Sequence, residues 1–159
     1  MPVRIFASVA ELRPLIGQEV GVSEWLRIEQ PRVNAFAEAT DDRQWIHLDA
    51  ERASRESPYG APIAHGFLTL SLLSPLVLRT VQIDGVGMTI NYGLNRVRFP
   101  SAAPVGSQIR AHVTLQALDD LPDSVQITWG VTVELDGSSK PCCVAEWLVR
   151  LYPDTGRPA

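Results

Sequence analysis

The residue types able to do chemistry in this 159-residue chain concentrate in one stretch, Asp41-Asp42-Arg43-Gln44-Trp45-Ile46-His47-Leu48-Asp49. A carboxylate and an imidazole separated by four residues can share one water molecule, one group taking a proton while the other supplies one. Asp41 and Asp42 also fall at the expected C-terminal end of a helix over residues 33–40. The macrodipole is negative there, and each carboxylate costs roughly 0.3–1 kcal/mol. A local rule broken without visible compensation marks a candidate functional site. His47 stands between Ile46 and Leu48, too apolar a setting for a casually solvated ring. The same residues also fit a turn-forming Asp42 and a core His47 satisfied by a backbone carbonyl. Periodicity alone favours that structural account.

A second element adds an electrophilic partner. Ala61-Pro62-Ile63-Ala64-His65-Gly66-Phe67 runs directly into the most apolar part of the chain. Gly66 then sits where a helix begins, with a free N–H unshielded by a Cβ, and such donors suit a developing oxyanion. Gly66 equally allows close packing of helix on sheet. On these residues the two roles carry equal weight.

The elements that must position these groups divide into a helix-rich first half and a strand-rich second half, as in an α+β domain. Residues 21–28 read as a first strand. Pro31 opens a short helix carried by Val33, Phe36, Ala37 and Thr40, and Asp49 caps a further turn. Residues 57–62 are loop chemistry. Residues 66–80 are apolar around nearly the whole helix circumference, so this helix, roughly 22 Å long, must be buried on most sides. Residues 109–116, 125–135 and 145–151 alternate apolar and polar, and residues 88–99 do so more weakly, giving an antiparallel sheet with one wet face. Turns fall at 119–123 and 136–139. One apolar helix wrapped by such a sheet is the hot-dog arrangement.

Composition narrows the function classes. With 45% hydrophobic and 20% charged residues, the chain fits one domain over residues 1–152 with a short tail at 153–159. A net charge of −4 leaves no basic field for a phosphate backbone, so nucleic acid is not an expected partner. No signal peptide and no membrane span are read, and no membrane partner is expected. Cys142 and Cys143 are adjacent, point to opposite faces of a strand and cannot readily pair, which suits reduced thiols in the cytoplasm. His47, His65 and His112 form no metal-binding spacing, so no metal is expected, and Gly85-Val86-Gly87 leads into a strand rather than a dinucleotide-binding helix.

Taken together, Asp42-(Arg43-Gln44-Trp45-Ile46)-His47 and Pro62-Ile63-Ala64-His65-Gly66 resemble the MaoC-like dehydratases, which include the (R)-specific enoyl-CoA hydratases. Residues 36–47 and 90–99 are similar to the branch typified by nodulation protein N. The resemblance spans nearly the whole chain. Many hydratases have Asn-Pro where Gln44-Trp45 stands and Gly where Asp41 stands; Gln44 can still donate an amide hydrogen bond.

The resemblance implies a cofactor-free hydration of a trans-2-enoyl thioester, carried by coenzyme A or an acyl-carrier protein, to the (R)-3-hydroxyacyl product. His47 is then the base and Asp42 the acid, with Trp45 and Ile46 as the apolar neighbours expected to bury Asp42. Gly66 N–H bonds the thioester oxygen. Ser74 matches a serine of some relatives and orients water or substrate, although its ordinary role is a hydroxyl bonded back onto its own helix. His65 fixes the loop, and His112 lies solvated on a polar strand face. Arg96 and Arg98 share one strand face and could meet phosphates, while Asn91 and Asn95 line the pocket. A homodimer is expected by family analogy, pooling sheet edges. The rival readings are a hot-dog thioesterase and a non-catalytic acyl-binding or partner subunit.

Overall fold

The alternation read in the second half becomes a sheet with one dry face, and the first half supplies what lies against it. In the computed structural model, which describes residues 3–154, the chain opens with β1 (Arg4–Phe6), a 3-10 helix over Val9–Leu15, β2 (Glu19–Val22) and β3 (Leu26–Arg27). Helices α1 (Gln30–Thr40), α2 (Trp45–Leu48), α3 (Ala50–Glu56), α4 (Gly66–Ser71) and α5 (Leu73–Leu78) follow. The strands β4 (Val81–Ile83), β5 (Val86–Arg98), β6 (Gln108–Asp120), β7 (Val125–Leu135) and β8 (Cys143–Pro153) complete the fold.

The main sheet runs in the order β2-β6-β7-β8-β5, with β3 also paired to β6, and every pairing in it is antiparallel. Its dry face carries Ile109, Val113, Leu115, Ile127, Val131, Val133 and Val149, packed against Leu68, Leu72, Leu73, Leu76 and Val77. The α+β hot-dog arrangement is therefore present. A small parallel pair of β1 and β4, absent from the expectation, stands beside it.

Three expectations need correction. The strand over 21–28 is two strands, because Ser23 interrupts it: Ser23 Oγ takes the Ala111 N–H at 2.9 Å, in place of a backbone partner. The single helix over 66–80 is two short helices in series, meeting at Leu72. Pro75 has no N–H to offer the Ser71 carbonyl, and its ring crowds that carbonyl, so the ladder breaks there. That helical segment is also not buried all round, since Phe67 is 68% exposed and Leu78 57%. Most of the tail expected at 153–159 lies outside the described residues.

His112 does lie on the polar face, but it is not freely solvated. Its Nδ1 reaches Glu19 Oε2 at 3.0 Å on β2 and its Nε2 reaches Glu134 Oε2 at 2.8 Å on β7. Arg110, stacked over Trp25, completes this cluster with a 2.6 Å bond to Glu134. Cys142 and Cys143 are free and buried, and burial pushes their thiols up to about 11 and about 12.

Candidate active site

The site begins where α1 stops. Asp41 closes the helix in the left-handed conformation, at φ 58°, the position that favours glycine. The resulting change of direction throws Asp42 and the following turn toward the start of α4. Arg43 compensates the acidic helix end by pairing with Glu38 at 2.8 Å and approaching Asp41 at 3.5 Å. Among the described residues the Asp42 carboxylate has no ion pair or hydrogen bond. Of the two aspartate side chains, Asp41 is the one that Arg43 approaches.

Residues 62–65 are held from both sides. Ile63 N donates to Ile46 O at 3.0 Å, Ala64 N to Ala103 O at 2.8 Å, and Val105 N to Pro62 O at 2.8 Å. This clamp carries His47 with it, since His47 Nδ1–H donates to Ile63 O at 2.7 Å while Gln30 Nε2 donates to His47 O at 2.8 Å. The carbonyl partner expected of a purely structural histidine is thus present, but it uses one ring nitrogen and leaves Nε2 for chemistry. Burial, the largest influence, pushes His47 below the ordinary 6.5, with the neighbouring His65 adding to the fall. The Ile63 bond and Asp42 oppose it without reversing it.

His65 is almost fully buried, at 2% exposure, and its Nε2–H donates to Asp42 O at 2.9 Å. Its ring lies on that of His47, with centroids 3.7 Å apart and planes 24° from parallel. Asp42, His47 and His65 each bring a polar side-chain atom to within 4.8 Å of one another. Sequence spacing concealed this cluster, because His65 joins it only through the fold.

An open pocket borders the cluster, walled by His47, Ile63, Gly66, Thr69, Phe99 and Cys142 among others. Gly66 is the first residue of α4, and its N–H donates to no group among the described residues. A Cβ at Gly66 would meet the Phe99 ring at 3.1 Å, so close packing and a free donor coexist here. Asp42 is not part of this wall, and it is exposed rather than buried by Trp45 and Ile46. Trp45 is engaged instead with Arg52, whose guanidinium lies 4.3 Å from the indole ring.

The other sequence candidates separate into groups. Ser74 and Asn91 share a second pocket with Leu70, Ser71, Leu73, Leu94 and Trp147. Asn91 Oδ1 accepts from Trp147 Nε1 at 2.8 Å. Ser74 Oγ makes no bond back onto its helix, although Ser71 Oγ does, to Phe67 O at 2.8 Å. Arg96 and Arg98 border a depression with Thr114, Gln116 and Glu146 on the polar sheet face, where Arg96 lies 3.9 Å from Glu146. Gln44 precedes α2 with its side chain exposed, and Asn95 is exposed on β5, lining neither pocket. Sequence reasoning missed Gln30 and Phe99. Both act across long chain separations and carry no local signal.

Known proteins agree with this fold. A family profile described as MaoC like domain matches residues 11–135. Over 149 residues the chain is 52% identical to 3-hydroxyacyl-thioester dehydratase Z of Mycobacterium tuberculosis, covering 93% of this chain and 98% of that one. It is 43% identical to Nodulation protein N of Rhizobium leguminosarum bv. viciae over 149 residues, covering 92% of each. In three dimensions it matches the (R)-hydratase from A. caviae with a TM-score of 0.63 and 25% identity, covering 82% of this chain and 95% of that one. The chain belongs to the MaoC-like dehydratase family of hot-dog-fold hydro-lyases.

Proposed function

We propose that the chain hydrates trans-2-enoyl thioesters to (R)-3-hydroxyacyl thioesters and catalyses the reverse dehydration, with Asp42 and His47 sharing one water. The observation that carries this reading is the convergence of a carboxylate and an imidazole to within 4.8 Å, with His47 and the free Gly66 amide in one pocket wall. His47 donates through Nδ1, so its Nε2 lone pair faces the reaction. Burial keeps the ring neutral and able to accept a proton near pH 7.

In the forward direction a water proton passes to His47 Nε2 as the oxygen bonds to C3. The C2–C3 π pair shifts toward the thioester carbonyl, and Gly66 N–H stabilises the enolate oxygen. The enolate then collapses as C2 takes a proton from Asp42. Return of the proton from His47 to Asp42 restores both groups. The exposed Asp42 of the free chain is covered when the thioester binds, which strengthens every charge interaction at the site. The reaction is redox-neutral and balances with water alone, so no cofactor beyond the thioester's own handle is required.

Ser74, two turns along the helical segment, and Asn91 of β5 orient the substrate, and the apolar tail runs on past Trp147 toward Val77, Val81 and Leu151. Arg98 directly precedes Phe99 of the pocket wall, which supports a role for Arg96 and Arg98 at a phosphate-bearing handle, whether coenzyme A or an acyl-carrier protein. A homodimer is supported by β5, whose outer edge is unpaired among the described residues and which exposes Met88, Ile90, Tyr92 and Leu94.

Crotonyl-CoA assayed both for loss of enoyl absorbance and for free thiol tests the reaction. Hydration without thiol release, an (R) product and activity of the purified protein unaided are expected; thiol release would indicate a thioesterase, and inactivity an acyl-binding subunit. Asp42→Asn and His47→Ala should each lower kcat about 10²–10⁴-fold. Near-native turnover in either variant would overturn the pair.

A further inference from the structure

We propose that His65 is a positioning residue of the reaction, one side chain that fastens the acid and the base to each other and to the start of the helix bearing the Gly66 amide. This rests on the Asp/His reading above and adds a role for a group that touches neither water nor substrate.

Several constraints meet at this residue. Its backbone carbonyl accepts Thr69 N at 3.1 Å and Thr69 Oγ1 at 3.4 Å, which anchors it at the first turn of α4, next to Gly66. Its Nε2–H reaches back to Asp42 O at 2.9 Å, and its ring face covers His47 at 3.7 Å. Phe36 of α1 packs tilted against it, with ring centroids 5.0 Å apart. Asp42 follows the left-handed Asp41 and, among the described residues, its carboxylate has no hydrogen bond or ion pair, so the bond from His65 holds this turn through the Asp42 backbone. Loss of that bond lets the acid arm drift relative to His47, and a shift of about 1 Å in reacting groups can lower rates on the order of 10²-fold.

A further observation argues against simple packing. His65 Nδ1 is buried and has no hydrogen-bond partner among the described residues. Leaving a buried acceptor unmatched costs about 1–3 kcal/mol, a penalty that an apolar side chain of similar volume would avoid. The imidazole is retained at that penalty for its Nε2–H and its flat face.

The arrangement also touches the pH response. Facing His47 are Asp42 from the turn after α1 and His65 from the start of α4, with Tyr59 and Cys142 completing the pocket. Burial holds the Cys142 thiol up at about 11, so it stays neutral. Of the charged influences on His47, Asp42 acts upward and His65 downward. Removing the imidazole at position 65 therefore moves the acid limb of kcat toward higher pH.

Two variants test this, alongside His47→Ala, with crotonyl-CoA as substrate. His65→Leu fills the space but loses the donor, and should lower kcat on the order of 10²-fold with KM changed by about twofold or less. His65→Gln keeps an amide donor for Asp42 O and should recover about tenfold of that loss, again with a raised acid limb. Wild-type kcat and an unmoved acid limb in His65→Gln and His65→Leu, with His47→Ala inactive, would overturn the proposal and leave the Asp/His reading standing. An active His47→Ala would overturn that reading itself. Should His65→Leu fail to fold by its thermal melt, the kcat and acid limb of His65→Gln decide alone.

Discussion

Two histidine sites in this molecule respond to opposite forces. At the pocket, His47 is buried between the helix start and the α1–α2 turn, and burial pushes it below 6.5 despite nearby Asp42. On the polar sheet face, burial again acts downward on His112 and is its largest single influence. Hydrogen bonds to Glu134 and Glu19, with the charges of both, together outweigh it and raise the ring. Both nitrogens of His112 face carboxylate oxygens, an arrangement that only an imidazolium can satisfy with two donors. His47 spends one N–H on a carbonyl and keeps a lone pair. The same side chain is thus a neutral base in one place and a cationic clasp in the other, and its partners decide which.

That contrast can be broken first through activity. A neutral His47 is required for proton removal, so kcat/KM should fall about tenfold per pH unit on the acid side, with the limb placed below pH 6.5 because the folded ring titrates low. An acid limb above that value would remove the distinction between the two histidines.

Stability offers a smaller effect of opposite sign at the two sites. His112 is raised in the fold, so its contribution is fully present below the unfolded value near 6.5 and is lost as pH rises through the folded value. His47 is lowered, so as pH falls through 6.5 the unfolded chain takes up a proton that the folded ring refuses, and stability declines. Denaturant midpoints should show His112→Gln destabilised by about 0.5–1 kcal/mol at mildly acidic pH and by less at alkaline pH, the low figure reflecting solvent screening. A loss that grows with pH would refute the clasp.

The smallest effect concerns the turn that separates the acid from its helix. Asp41→Gly relieves a left-handed non-glycine residue but frees the unfolded chain and gives up the Arg43 contact, so the net change should stay within about 0.5 kcal/mol with kcat unchanged. A large drop in kcat would mean that Asp41, rather than its neighbour, carries chemistry.

Much of this was legible before any coordinates. Alternation over the long strands, the capping Asp49 and the entry of Ala64-His65-Gly66 into an apolar segment are local signals, and each appears as expected. Asp49 Oδ1, for instance, accepts Arg52 N at 2.9 Å. The break at Leu72 was also written locally, in Pro75, but was outweighed by the continuous apolar run around it. What stayed hidden depends on chain crossings. The stacking of His65 on His47, the reach of Gln30 to His47 and the bracing of His112 by Glu19 and Glu134 join residues 16 or more positions apart, where no periodicity speaks. The exposure of Asp42 was likewise unreadable, because Trp45 turned toward Arg52.

The order of the sheet has a bearing on how the chain is made. β5 is thirteen residues long and, among the described residues, pairs only with β8, with two complete strands, β6 and β7, intervening along the chain. A nascent polypeptide therefore carries β5 as an unzipped ribbon, its backbone donors and acceptors unpaired, until β8 leaves the ribosome. That waiting period is the molecule's most vulnerable moment for aggregation.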